Sequence, residues 1–180
     1  MHTMELVLRH LDPDDETAFL RAHRAFPDRE DFVFGMRYSD GMAWHDYLAM
    51  LDDLEHGRRL PSGWVPTTFL VAEVDGVLVG RSSIRHRLNP FLQRIGGHIG
   101  YGVVPQHRRR GHATEILRQS LDVIRTIGVD RVLVTCDITN VASRRVIERC
   151  GGVPTTTYDG PDVAVPKLRY WCTTRPATVG

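Results

Sequence analysis

The stretch Val103 to Ala113, reading Val-Val-Pro-Gln-His-Arg-Arg-Arg-Gly-His-Ala, gathers residue types that together can hold an anion. Arg108, Arg109 and Arg110 run into Gly111 and the small Ala113, where an apolar strand meets an amphipathic helix. Ala113, Ile116, Leu117, Leu121, Ile124 and Ile127 recur at helical steps and mark one face of that helix. The preceding residues, Ile99 to Val104, are apolar, aromatic and glycine-bearing, as a buried strand is. A strand feeding a glycine turn at a helix start presents backbone N–H groups with no intrahelical partner. The helix dipole is positive there, and glycine lets a ligand approach the main chain closely. With three arginines beside it, the turn predicts a phosphate-bearing ligand.

That run, Arg108-x-x-Gly111-x-Ala113, resembles the Gln/Arg-x-x-Gly-x-Gly/Ala signature of the GNAT superfamily of acyl-CoA-dependent N-acetyltransferases. A second block resembles it too: a strand over Arg131 to Cys136, then Asn140-x-x-Ser143 opening a short helix that stops at Gly151-Gly152. The resemblance covers Gly96 to Val153 and, more loosely, the whole chain. It implies acetyl-CoA as acyl-donor cosubstrate and no metal. The backbone of Arg109, Arg110, Gly111, His112, Ala113 and Thr114 would then cradle the pyrophosphate, and Arg108 would pair with phosphate oxygens. Main-chain groups of Val103 and Val104 would meet the amides of the pantetheine arm as an added strand does. Asn140, which also reads as a helix N-cap, would contact that arm, with Ser143 and Arg144 nearby. The backbone N–H of Val104 is the expected oxyanion donor.

Acetylating an amine requires that the amine lose a proton, that an oxyanion meet a donor, and that the departing thiolate be protonated or stabilised. His98 is the first candidate base. It heads the strand whose far end binds the cofactor, several GNAT members place a Glu near this position, and its ordinary pKa of ~6.5 suits the task. His86 and Glu73 are the next candidates. Many GNAT enzymes carry a Tyr seven residues after the Asn as general acid; Ile147 stands there in this chain. Cys136 and Cys150 read as core residues rather than acyl carriers.

These residues need a frame. A strand is expected at about Glu5 to Arg9. A helix follows, started by Asp12-Pro13, buried through Ala18, Phe19, Ala22 and Phe26, and ended by Pro27. A second helix, about Gly41 to His56, carries Trp44, Tyr47, Leu48, Leu51 and Leu54 on one face, and Arg58 to Pro66 reads as a loop. Thr68 to Val74 and Val77 to Arg85 flank Asp75-Gly76, a strong hairpin signal. Arg85 to Gly97 is a long connection, Gly128 stops the signature helix, and strands near Val153 to Tyr158 and Val165 to Cys172 finish the chain. The order predicts an α/β (α+β) fold, GNAT-like, with a mixed, mostly antiparallel central sheet and helices on both faces.

At 180 residues, 1–180 is expected to form a single domain. A formal net charge of +1 argues against nucleic acid as a partner. Three cysteines without metal-type spacing favour a reducing compartment, and no signal segment or membrane-spanning run is apparent, so a cytoplasmic protein with no membrane partner is expected. The reading is an N-acetyltransferase in which an amine attacks the thioester directly in a ternary complex. The acceptor's identity and a homodimer stay open. The alternative is a non-catalytic CoA-binding sensor or regulatory module.

Overall fold

The structure, a computed structural model that describes residues 5–27 and 32–174, opens with the short strand β1 (Val7–Arg9). Asp12 then forms a reciprocal cap: its carboxylate accepts from the Asp14 N–H while Asp15 accepts from the Asp12 N–H. Pro13 begins a single tight turn that leads into helix α1 (Glu16–Arg24). Arg9 ties strand to helix start, its guanidinium reaching both oxygens of Asp15 at 2.6 and 2.8 Å and, through Nε, Glu73 at 2.7 Å. Helix α2 (Trp44–Glu55) starts later than expected, because Ala43 is still extended.

Asp75 and Gly76 both take positive φ, 48° and 76°, and close the hairpin of β2 (Thr67–Val74) and β3 (Val77–Arg85). The long connection after β3 holds a wide helical turn, Leu92–Gly96, whose Leu92 N–H donates to the Asn89 side chain. Then come β4 (Ile99–Val103), α3 (His112–Thr126), β5 (Arg131–Asp137), α4 (Val141–Arg149), β6 (Val153–Tyr158) and β7 (Lys167–Thr173). The last strand starts beyond Val165 because Pro166 has no N–H to give a ladder.

Alternation along β2 sorts the core. Phe69 and Val71 pack with Phe19, Phe34 and Tyr47 under α1 and α2. Leu70 faces the other way, into a cluster with Leu117, Leu121 and Ile124 of α3 and Ile147 of α4. Helices therefore cover both faces, and the α/β class is the expected one.

The sheet itself is split. The strands form two antiparallel sheets, ordered β1-β2-β3-β4 and β5-β7-β6. Between β4 and β5 the chain makes a clasp in place of a ladder: the His98 N–H donates to the Leu133 carbonyl at 2.7 Å, and His98 Nδ1 accepts from the Leu133 N–H at 2.9 Å. Gly97, at φ 61°, permits that approach, since a Cβ there would lie 2.6 Å from the Leu133 oxygen. Past the clasp no ladder joins the two strands.

Candidate active site

The phase of the β3–β4 ladder decides which main-chain groups face the gap. Antiparallel residues alternate between bonding their partner strand and pointing away from it. Arg85 N–H donates to the His98 carbonyl, and Val104 N–H donates to Val79 at 2.8 Å. Those two bonds bracket the register Gly80↔Val103 through Ile84↔Ile99. Ile99, Tyr101 and Val103 therefore turn their N–H and C=O towards β5. Val104 does not take the main-chain role expected of it, as arm partner or oxyanion donor, because its N–H is spent on β3. The Val103 carbonyl also accepts from Arg108 Nε at 3.2 Å, which leaves the N–H groups of Tyr101 and Val103 as the strand's donors to the gap.

Beyond Val104 a tight turn, Pro105–His107, reverses the chain. Arg109 and Gly111 take positive φ, 65° and 84°, and α3 begins. Thr114 and Glu115 N–H both donate to the Gly111 carbonyl. Among the described residues, the N–H groups of Arg109 through Ala113 have no backbone partner. A Cβ on Gly111 would meet nothing within 4 Å, so the space above the helix start is open. Glu115, in the first turn, is held by Arg118 and Gln119 and its charge lies along the helix. Five bare donors, a positive dipole end and free approach fit a pyrophosphate.

Opposite stands α4. Asn140 is its N-cap, accepting from the Ser143 N–H at 3.0 Å. The Tyr101 hydroxyl crosses from β4 to Ser143 Oγ at 2.8 Å, and burial pushes that phenol's pKa up. A cavity of about 580 Å³ lies between the walls. Val103, Arg108, Arg109, Gly111, His112, Ala113, Thr114, Asn140 and Ser143 line it. Arg110 and Arg144 do not; Arg144 turns towards the Ile138 carbonyl at 3.4 Å. Sequence reasoning missed Phe26, Tyr101 and Arg149 on these walls. Ala142, Val146 and Arg149 follow Asn140 at helical steps, a signal that was available for Arg149.

The candidate bases are placed elsewhere or occupied. His98 is 5% exposed, and burial with the nearby Arg85 charge pushes its pKa down to about 4. Because Nδ1 accepts from Leu133, the neutral ring carries its proton on Nε2 and has no spare lone pair. His86 lines neither the cleft nor the neighbouring cavity; its Nε2 meets Thr68 Oγ1, which donates to Glu55 at 3.0 Å. Glu73 is engaged by Arg9 at the opposite edge of the sheet. Ile147, in the position of the family's tyrosine, is fully buried in the core. Cys136 and Cys172 are buried, which raises their thiols to about 11 and about 12, far from a reactive thiolate.

The acetyltransferase (GNAT) domain family model matches residues 5–153. Among solved structures, RimJ of Mycobacterium smegmatis in complex with CoA-disulfide superposes with a TM-score of 0.65 at 23% identity, over 93% of this chain and 81% of that one. The yncA protein of Salmonella typhimurium, solved with its cofactor acetyl-CoA, gives 0.59 at 15% identity over 96% of each chain. An N-acetyltransferase from Staphylococcus aureus gives 0.63 at 14%, over 95% and 99%. No curated protein sequence matches. The matched model spans both motif blocks and the clasp between them, and the chain belongs to the GNAT acetyltransferase family.

Proposed function

We propose that this protein moves the acetyl group of acetyl-CoA to an amine by direct attack within the cleft between β4 and β5. The observation that carries the reading is the set of bare N–H groups from Arg109 to Ala113 opening onto free space at Gly111, at the wide end of the split sheet. Those donors, with Arg108 and Arg149 on the walls, hold phosphate oxygens. The N–H groups of Tyr101 and Val103 meet the amides of the arm, and Asn140 and Ser143 close the far side.

When bound, acetyl-CoA supplies an acetyl group activated as a thioester. In the balance of the step, the amine nitrogen gains the acetyl carbon and the carbon–sulfur bond breaks. One proton leaves the nitrogen and one is taken up at sulfur. The chain offers no side-chain base with a free lone pair at His98, so the amine's proton passes to water in the cleft. We assign the second proton to Tyr101, whose hydroxyl lies 2.8 Å from Ser143 Oγ and is protonated at neutral pH as an ordinary phenol is. His98 then serves as the clasp that sets the strand separation.

Among the described residues no helix is long and apolar enough to cross a membrane. The three free thiols support a cytoplasmic location.

Calorimetric titration with acetyl-CoA tests the reading, with ATP and NADH as controls. Selective micromolar binding is expected, lost in Gly111→Val while the fold persists. Equal binding of all three nucleotides, or full affinity in the folded variant, overturns it. Tyr101→Phe should lower kcat at least tenfold with little change in acetyl-CoA affinity.

A further inference from the structure

A second cavity, of about 620 Å³, adjoins the cleft on the α1 and α2 side of the sheet. Phe32 lines both, and Arg81, in the second cavity, stands opposite the cleft residue Gly102 in the β3–β4 register. Its lining includes Arg37, Arg81 and Arg85 and, among the described residues, no acidic side chain. Arg37 is exposed, but Arg81 is buried and Arg85 half-buried, and a guanidinium withdrawn from water is ordinarily paired with a carboxylate.

The hydrogen bonds of the two inner arginines do not neutralise them. Arg81 is 8% exposed and donates to Ser83 Oγ and to the carbonyls of Gly100 and Val33, with the Phe32 ring 4.3 Å from its carbon. Its Nε is fully buried with no partner. Arg85 donates through Nη1 to the carbonyls of Gly96 and Gly97, and among the described residues its Nη2 has no hydrogen-bond partner. A Cβ on Gly100 would lie 3.6 Å from that Nη2, so the guanidinium faces bare main chain. Among the described residues, every acceptor these two guanidinium groups meet is a neutral oxygen. The remaining walls are apolar and aromatic, with Trp64, Phe91 and Leu92 prominent.

We propose that the acceptor carries a carboxylate on the same molecule as its amine, a free amino acid, with the carboxylate paired to Arg85, Arg81 lending its charge from behind, and the amine reaching the cleft past the Phe32 ring, which covers Gly102 and lines both cavities. The proposal rests on the acetyl-transfer reading above and names its substrate class. A guanidinium fork suits the planar carboxylate. The apolar walls suit an amino acid with an apolar or aromatic side chain. Polyamines, positively charged throughout, are repelled by the same field.

Matched pairs of acceptors test this: phenylalanine against phenethylamine, leucine against isoamylamine, with spermidine as a third arm. The carboxylate member of each pair should be acetylated with at least tenfold higher kcat/KM, and in Arg85→Gln that preference should collapse through KM while Arg85→Lys restores part of it. Equal rates within the pairs, preference for spermidine, or an unchanged preference in a folded Arg85→Gln protein overturns the proposal. Quenching of tryptophan fluorescence by phenylalanine, without acetyl-CoA, separates the two readings. Saturable quenching that needs Arg85 supports the carboxylate site even if no acetyl transfer is found. Acetyl-CoA binding and transfer without carboxylate discrimination sinks this proposal alone.

Discussion

His98 contributes to the molecule as a neutral ring. Its Nδ1 accepts the Leu133 N–H, and burial together with the nearby Arg85 charge pushes its pKa down to about 4 against ~6.5 in an unfolded chain. Above pH ~6.5 the ring is neutral in both states and its contribution is complete. As pH falls from there, the unfolded chain takes a proton that the folded one refuses, so stability drops until about pH 4 and levels below it. Urea unfolding at pH 7 and pH 5 should show the native protein losing about 2 kcal/mol more than His98→Asn, which does not titrate. Equal losses in the two proteins would show that the ring is not buried in this way. Kinetics give the complementary check. If the amine's proton goes to cleft water, His98→Asn should leave the pH–rate profile of the reaction in place, whereas a shifted profile would restore His98 as the base.

At the scale of elements, the site is a helix start set against two strands held apart, and two glycines separate those jobs. Gly111 and Gly97 both have positive φ, at 84° and 61°. A Cβ at Gly111 enters open space, so Gly111→Ala should cost only the backbone strain, about 1–2 kcal/mol, while weakening CoA binding. At Gly97 the same atom meets the Leu133 carbonyl at 2.6 Å, across the clasp itself. Gly97→Ala should therefore cost at least about 3 kcal/mol or prevent folding, as read from urea midpoints of the two variants. Comparable losses would mean that the clasp gives way easily. The contrast also marks what was legible beforehand. The α3 stripe, the Asp75-Gly76 hairpin and the Asn140 cap are local patterns, written within a few residues of the structure they make. The clasp joins residues 35 apart, and the ladder phase that denies Val104 its role follows from a register no single segment carries. Tyr101 reaches Ser143 across 42 residues, and Arg81 reads in sequence as one more polar position in a strand. Motifs with local geometry could be found; residues brought together by pairing between distant segments could not.

For the molecule as a whole, a split sheet raises the question of whether its halves melt together. The two sheets share one core: Leu70, Ile84 and Ile99 from the first pack with Val132, Val134, Tyr170 and Cys172 from the second, beneath α3 and α4. Removing either half would expose the same fully buried side chains, so we propose that the chain unfolds as one cooperative unit. The tryptophans divide usefully, Trp44 and Trp64 lying with the first half and Trp171 on β7. In urea, fluorescence and far-UV circular dichroism should give superimposable transitions, and a Trp171→Phe variant should report the same midpoint. Acetyl-CoA, in the proposed site between β4 and β5, would touch both halves through α3 and α4. At about a hundred times its dissociation constant it should stabilise the folded state by about 2.7 kcal/mol. Because the cleft is walled by β4 and the start of α3 on one side and by α4, which follows β5, on the other, the two probes should shift together by that amount. A shift confined to one probe would show two separately melting halves, with the ligand held by only one of them.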